Sequence, residues 1–437
     1  MHRSLSRAAR GVVRARVPLF LMLVIAPPLA SQSAMNPLGV SMNRAGSGTT
    51  WIPDAVTLPS KSFMAGGWDL MAHGFVFGQY NAQNGERGDT QFGSLNWGML
   101  MASRVVAGGR FQARTMLSLD PATVTKRGYP MLLQTGETVD GEPLHDRQHP
   151  HDFWMELGAT YERAVTRAVG VALYAAPSGE PALGPVHERH RPSAMDNPMA
   201  PLSHHWQDAT HVSFGVLTAG VFGHSWKLEG SVFNGREPNE QRWDIDRITL
   251  DSYAGRLSLN PTKEWALSAA YGYLKSPEAA EPEESLHRVT ASAMHGRLVG
   301  KEGQWSTTFV YGANKHGVGA DLSNSALIES ELVANSAHTF FGRAELAQKS
   351  ADDLGIFSPS SIPGPHVDYT VGAATLGYVR ELGSLWGGTL GLGVLGTINV
   401  VPSTLRRDYG SRTPSAGMVF LRLRPVLRRD PMAGMVH

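Results

Sequence analysis

Two stretches of this chain concentrate side chains that hold metal ions or move protons. The first reads His145-Asp146-Arg147-Gln148-His149-Pro150-His151-Asp152. The second carries His187, Arg189, His190 and Arg191, then His204-His205-Trp206-Gln207-Asp208, with His211 close behind. Neutral imidazole beside carboxylate is the ligand set for zinc, copper or nickel, the carboxylate serving to orient the ring. His149 and His151, two residues apart, share one face of an extended segment and would chelate a single ion if Pro150 keeps it extended. Met195 and Met199 add thioethers suited to Cu(I). The metal set read from the sequence is His145, His149, His151, His187, His190, His204 and His205, for copper or another divalent ion. The competing reading is a folded loop whose His, Arg and Asp side chains bond to one another, since no closed signature such as HExxH occurs. No obligate cofactor is expected. Asp146, His149, Asp152, His205 and Asp208 also supply the residue types of a hydrolase. No nucleophile–base pair is fixed by local spacing, so no catalytic residue and no enzyme is expected.

The elements that must position these loops are strands. From Gly67 to Leu427 the chain reads as about sixteen amphipathic stretches joined by connections that alternate between short and long. Short joins fall at Ala107-Gly108-Gly109, Arg163 to Gly170, Gly223-His224, Asn260 to Lys263, Gly300 to Gln304, Asn335-Ser336-Ala337 and Glu381-Leu382-Gly383. Long joins include Asp120 to Asp152, Pro177 to Gln207 and Gly235 to Arg247. That alternation is the wiring of an all-β, transmembrane antiparallel barrel with short periplasmic turns and long extracellular loops. Composition agrees. Among 437 residues there are 48 glycines and only 42% hydrophobic residues, too few for a helical membrane protein. With no cysteine, thiolate metal sites and thiol catalysis are excluded. A net charge of +1 and the lack of a basic stripe with interleaved aromatics exclude a nucleic-acid partner.

Period two also sorts the faces. Phe111, Ala113 and Leu117 alternate with Gln112 and Arg114, and in Phe153–Tyr161 the apolar set includes Met155, Leu157 and Ala159, opposite Glu156. Leu228 and Val232 alternate with Lys227 and Glu229; Tyr253 and Leu257 with Arg256; Val419 and Leu421 with Arg422. A sixteen-strand barrel is too wide for its own side chains to fill, so the charges belong inside. Arg104, Arg114, Glu156, Lys227, Glu229, Arg256, Arg343, Glu345, Arg422 and Arg424 are therefore expected to line the pore, with Arg147, Arg189, Arg191 and Asp208 contributing from the loops. The apolar sets, with Trp97, Trp226, Trp265 and Tyr271, are expected to face lipid or the interfacial girdles.

Residues 1–34 read as a signal peptide: a basic stretch (Arg3 to Arg16), an apolar core (Val17 to Ala26), then small residues. Residues 35–66, rich in Gly, Ser, Thr and Pro without sustained period, read as a periplasmic lead-in. The barrel spans 67–427 and a tail 428–437.

Several long phrases, among them SGTTWIPD (Ser47–Asp54), GDTQFGSLNWGMLMASR (Gly88–Arg104), DRQHPHDFWMELGATY (Asp146–Tyr161) and HRPSAMDNPMAPLSHHWQDATHVSFG (from His190), extend over roughly residues 45 to 350. In these the chain resembles a family of largely uncharacterised bacterial outer-membrane β-barrel-like envelope proteins. Some of these carry a Met/His-rich N-terminal segment, which implies metal handling; this chain has no such segment between Met35 and Gly46. The expected role is a porin-like channel in the bacterial outer membrane, in contact with its lipid. It would pass small solutes or ions and be narrowed by inward-folded His-rich loops. The alternatives are a metal-binding accessory barrel and a rim hydrolase. The oligomeric state is left open.

Overall fold

A computed structural model describes residues 38–317, 322–356 and 369–427. The signal peptide and the tail from 428 onward lie outside the described residues. The strands are β1 (Ser60–Ala65), β2 (Trp68–Gln83), β3 (Thr90–Val106), β4 (Gly109–Leu117), β5 (Tyr129–Val139), β6 (Glu142–Gln148), β7 (Trp154–Ala164), β8 (Gly170–Gly179), β9 (Ser213–Phe222) and β10 (Trp226–Phe233). They continue with β11 (Ser252–Thr262), β12 (Trp265–Lys275), β13 (Ser285–Val299), β14 (Gly303–His316), β15 (Leu322–Val333), β16 (His338–Lys349), β17 (Tyr369–Leu385), β18 (Gly388–Val400) and β19 (Ser415–Pro425). β2–β4 and β7–β19 form a closed antiparallel wall of sixteen strands. Closure is made where β19 pairs with the upper half of β2, from Ala416↔Gln83 to Leu423↔Val76. The short β1 occupies the same edge of β2 lower down, from Ser60↔His73 to Ala65↔Trp68. A separate hairpin, β5–β6, stands within the connection from β4 to β7.

The long–short rhythm of the sequence is the rhythm of the wall. One turn differs. The last tight turn is Trp386-Gly387, while Glu381 to Gly383 is a register shift inside the β17–β18 pairing. Gly383 takes φ +150°, so the apparent turn signal marks a bulge.

The outer face is apolar: Leu228, Leu257, Tyr271, Phe309, Ile328, Leu346 and Val419 are exposed, while Arg256, Arg288 and Arg422 are fully buried. A soluble barrel would reverse that arrangement. The chain is an outer-membrane β-barrel whose apolar belt faces lipid.

Three side chains face the other way from expectation. Trp97 is only 6% exposed and points into the lumen, packed with Phe75, Met99 and Met101. Arg104 is exposed, its guanidinium 5.9 Å from the Trp68 ring. Met155 joins Glu156 inside, because register shifts on both sides of β7 place two consecutive residues inward. The common cause of the first and third is that the lumen holds protein, so part of the inner wall is apolar.

A charge at the outer midline has no partner in lipid. Leu257→Arg is expected to lower the stability of the barrel in vesicles by about 2–4 kcal/mol in denaturant unfolding, with Leu257→Val near wild type.

Candidate functional site

The lumen is filled from both ends. The connection from β8 to β9 (residues 180–212) runs inside the wall, and every one of its residues is buried. Irregular backbone at membrane depth must find partners for its amides and carbonyls, and wall side chains supply them. Ser231 Oγ accepts from Ala182 N (2.7 Å), Glu331 from Asp196 N (2.9 Å) and Glu345 from Leu202 N (2.7 Å). Arg343 donates to the Met199 carbonyl (3.0 Å) and Arg288 to that of His205 (2.6 Å). Wall glycine also matters: a Cβ at Gly312 would collide with the Trp206 carbonyl, where the short helix His204–Gln207 presses on β14.

From the short-turn end comes the segment expected in the periplasm. Residues 38–59 instead enter the barrel. Arg114 donates to the Gly48 carbonyl (2.5 Å), Lys227 to that of Thr49, and Asn260 to that of Ile52 (3.0 Å). Gln304 bonds both the amide and the carbonyl of Thr57 (3.2 and 3.0 Å). Arg44 grips Asp54 through two nitrogens (2.8 and 2.5 Å). The segment meets the 180–212 loop where His187 N donates to Ser47 Oγ (2.9 Å). Gly48 takes φ +51° there, and a side chain would run into Glu180. No hydrophobic period marks this segment, because its anchorage runs largely through its backbone carbonyls.

Apart from Arg104, which faces outward, and Arg147, the charges assigned to the pore lie inside the wall, in the filling or against it. Arg114 pairs with Glu156 (2.6 Å), which also accepts from Tyr174 (2.7 Å). Glu229 takes Lys227 (3.3 Å) and Arg256 (3.2 Å). Glu329 joins Arg343 (2.9 Å) and Arg191 (2.6 Å), and Arg191 reaches Asp208 (3.3 Å). Arg189 lies 3.6 Å from Glu188. Arg422 pairs with Asp196 and with Glu381 (2.5 Å). Arg147 stands apart from this network: it bonds Asp89 (2.7 Å) and the Arg127 carbonyl (2.9 Å) at the rim. Glu329, Glu331, Arg288 and Lys349 belong to the network although no sequence pattern singles them out.

Eight histidines gather in the lumen: His73, His149, His151, His187, His190, His204, His205 and His211. His145 is not among them; it contacts the Asp353 carbonyl at 3.1 Å. His149 and His151 do not chelate together. His149 groups with His204 and His205, while His151 groups with His187 and His211. The backbone around Pro150 is not a strand, so the i, i+2 rule fails there. Several rings have Nδ1 engaged: His151 with Asp120 (2.8 Å), His204 with Asp208 (2.7 Å) and His211 with the Asp208 carbonyl (3.0 Å). Burial pushes His149 and His211 well below the usual histidine range, and neighbouring imidazoles add to the effect. Burial also lowers His187 and His205 despite the carboxylates of Glu188 and Glu237. For His204 burial acts in the same sense, but the hydrogen bond to Asp208 and the charges of Asp208, Glu188 and Glu237 together outweigh it and its value is raised. Neutral rings are the form that binds metal ions.

No protein-family model and no curated protein matches the sequence. Among solved structures, the chain is similar to an anion-selective porin from Comamonas acidovorans (TM-score 0.48, 12% identity, covering 82% of this chain and 99% of that one). It is similar also to Salmonella typhi OmpF (TM-score 0.47, 10% identity, 83% and 100%) and to Pseudomonas putida OprB (0.47, 10%, 82% and 94%).

Removing one member of a buried charge group leaves the others uncompensated. Arg191→Ala, which leaves Glu329 paired with Arg343 alone and Asp208 with His204 alone, is expected to cost about 3–5 kcal/mol in denaturant unfolding. Arg147→Ala, whose partner Asp89 is exposed, should cost within about 1 kcal/mol.

Proposed function

We propose that the protein is an outer-membrane channel for small solutes or ions that rests closed. The His-rich 180–212 loop and the 38–59 segment narrow the lumen, and passage requires one of them to shift. The observation that carries this reading is the small residual space around the turn at Gly48. On one side is a cavity of about 50 Å³ lined by Trp51, Arg110, Arg114, Tyr174, Lys227 and Glu229. On the other is one of about 10 Å³ lined by Met116, Glu156, His187 and His211, room for about one water. Gly48 lines both. A sixteen-strand wall is wide enough for an aqueous path once the filling moves.

Catalysis is not part of this reading. The residues that could have built a rim hydrolase are committed to separate partners. Asp146 pairs with Arg87 (2.5 Å), Asp152 with Arg242 (3.2 Å), and Asp208 with His204 and Arg191.

A second reading, a metal-handling barrel, is favoured by the gathering of eight buried histidines. The resemblance to envelope barrels with Met/His-rich segments adds no weight to it, since this chain has no such segment between Met35 and Gly46.

Planar-bilayer recording tests the first reading. Deletion of residues 38–59 is expected to give conductance steps at least several-fold larger than those of the full chain. A deleted barrel that inserts, keeps its strand content and stays as silent as the full chain would contradict it.

A further inference from the structure

Of the histidine groupings in the lumen, one has the features of a built ligand set. His151 comes from the β4–β7 connection, and His187 and His211 from the β8–β9 connection. One ring nitrogen of each lies within 4.8 Å of the other two. The His187 and His211 rings stack with centroids 3.7 Å apart, and His151 stands edge-on to His211 at 5.5 Å.

Two of the three rings are held through Nδ1, and the third lies against a carboxylate. His151 Nδ1 is tied to Asp120 Oδ2 at 2.8 Å, and the other Asp120 oxygen is fixed by the Asn96 amide at 2.9 Å. His211 Nδ1 is tied to the Asp208 carbonyl, while its buried Nε2 has no hydrogen-bond partner. His187 Nε2 is buried and makes no hydrogen bond; it lies 2.6 Å from a Glu188 oxygen, and neither Glu188 oxygen has a hydrogen-bond partner. A histidine kept only for packing would spend both nitrogens or sit in apolar surroundings. For His151 and His211 a carboxylate or a carbonyl holds Nδ1, and His211 Nε2 is left over, the outer-shell arrangement of metal-bound histidine, while His187 faces the Glu188 carboxylate.

We infer that His151, His187 and His211 bind a divalent first-row transition-metal ion of the zinc or copper type, and that the ion ties the two loops together inside the barrel. This rests on the metal-handling reading and specifies where in the lumen the ion sits. Three imidazoles suit zinc, copper or nickel and are poor ligands for calcium or magnesium, which prefer oxygen. Metal–nitrogen bonds of 2.0–2.1 Å would bring the three nitrogens to about 3.4 Å apart in a tetrahedral site. The small cavity beside His187 and His211 leaves a fourth position for water, with Met116 and Met155 on its wall. Glu188 and Asp208 bring negative charge close to the ion.

The test is zinc titration by calorimetry of the purified full chain, joined to electron paramagnetic resonance of the Cu²⁺-loaded protein. One ion per chain is expected, undisturbed by excess Mg²⁺, with nitrogen hyperfine coupling in the copper spectrum. His151→Gln, His187→Gln and His211→Gln should each weaken binding at least about 10-fold, and Asp120→Asn by about 10–100-fold. His149→Gln with His205→Gln, in the neighbouring group, should leave affinity within about 3-fold, less than the loss of an outer-shell partner. If the wild type takes up neither ion, both the site and the metal-handling reading fall. If binding is lost only through His149 and His205, this site falls while metal handling stands. A copper spectrum without nitrogen coupling also overturns the assignment, whatever the variants do.

Discussion

A wall of sixteen strands encloses more space than its own side chains can fill. Everything distinctive in this molecule follows from how that space is occupied. Water would have left a solvated pore with charges facing it. Instead the chain fills its own barrel from both ends, and non-helical backbone placed there must be satisfied by the wall. The buried arginines and lysines meet that need: Arg114, Lys227, Arg288, Arg343 and Lys349 each donate to a carbonyl of the filling. Acidic wall residues take the amides, as Glu331 and Glu345 do. Charges that would line an open pore act here as clamps on the filling.

The same constraint explains why the inner wall is not uniform. Where the loop and the β5–β6 hairpin present apolar side chains, such as Met199, Tyr129, Leu132 and Leu133, the wall answers with Phe75, Phe77, Trp97 and Phe420. Where it presents irregular backbone and imidazoles, the wall answers with paired charges. Clamps of this kind hold a geometry through mutually compensated charges, and a change at one of them is felt by its partners. That makes the filling specific: Arg191, Glu329 and Arg343 tie the loop to the wall as one group.

Much of the architecture was legible in the sequence. Alternating residues in β10, β11 and β19 mark one face for lipid, and glycine-containing joins mark the tight rim. What period two does not reveal is the nature of the medium on the inner side. For β3, apolar on both faces, it therefore placed Trp97 in lipid. The lead-in at 38–59 was unreadable for a different reason: its partners are far away in sequence, as with Gly48 and Arg114 or Thr57 and Gln304, and they bond its backbone. The histidines were visible as types, yet their grouping was not. His149 and His151 look like a pair and belong to separate clusters, while Asp120, which orients His151, gives no local signal.

The central claim is that chain, not water, occupies the lumen. With no native cysteine in the sequence, single cysteines at Ser47 and Ser193 are direct reporters, since both side chains are buried in the filling. Their reaction with a small maleimide should be followed in the folded barrel and again after denaturation. The account predicts little or no labelling until the barrel is unfolded, then complete labelling. Rapid labelling of both positions in the folded barrel would mean an open, water-filled lumen and would contradict it.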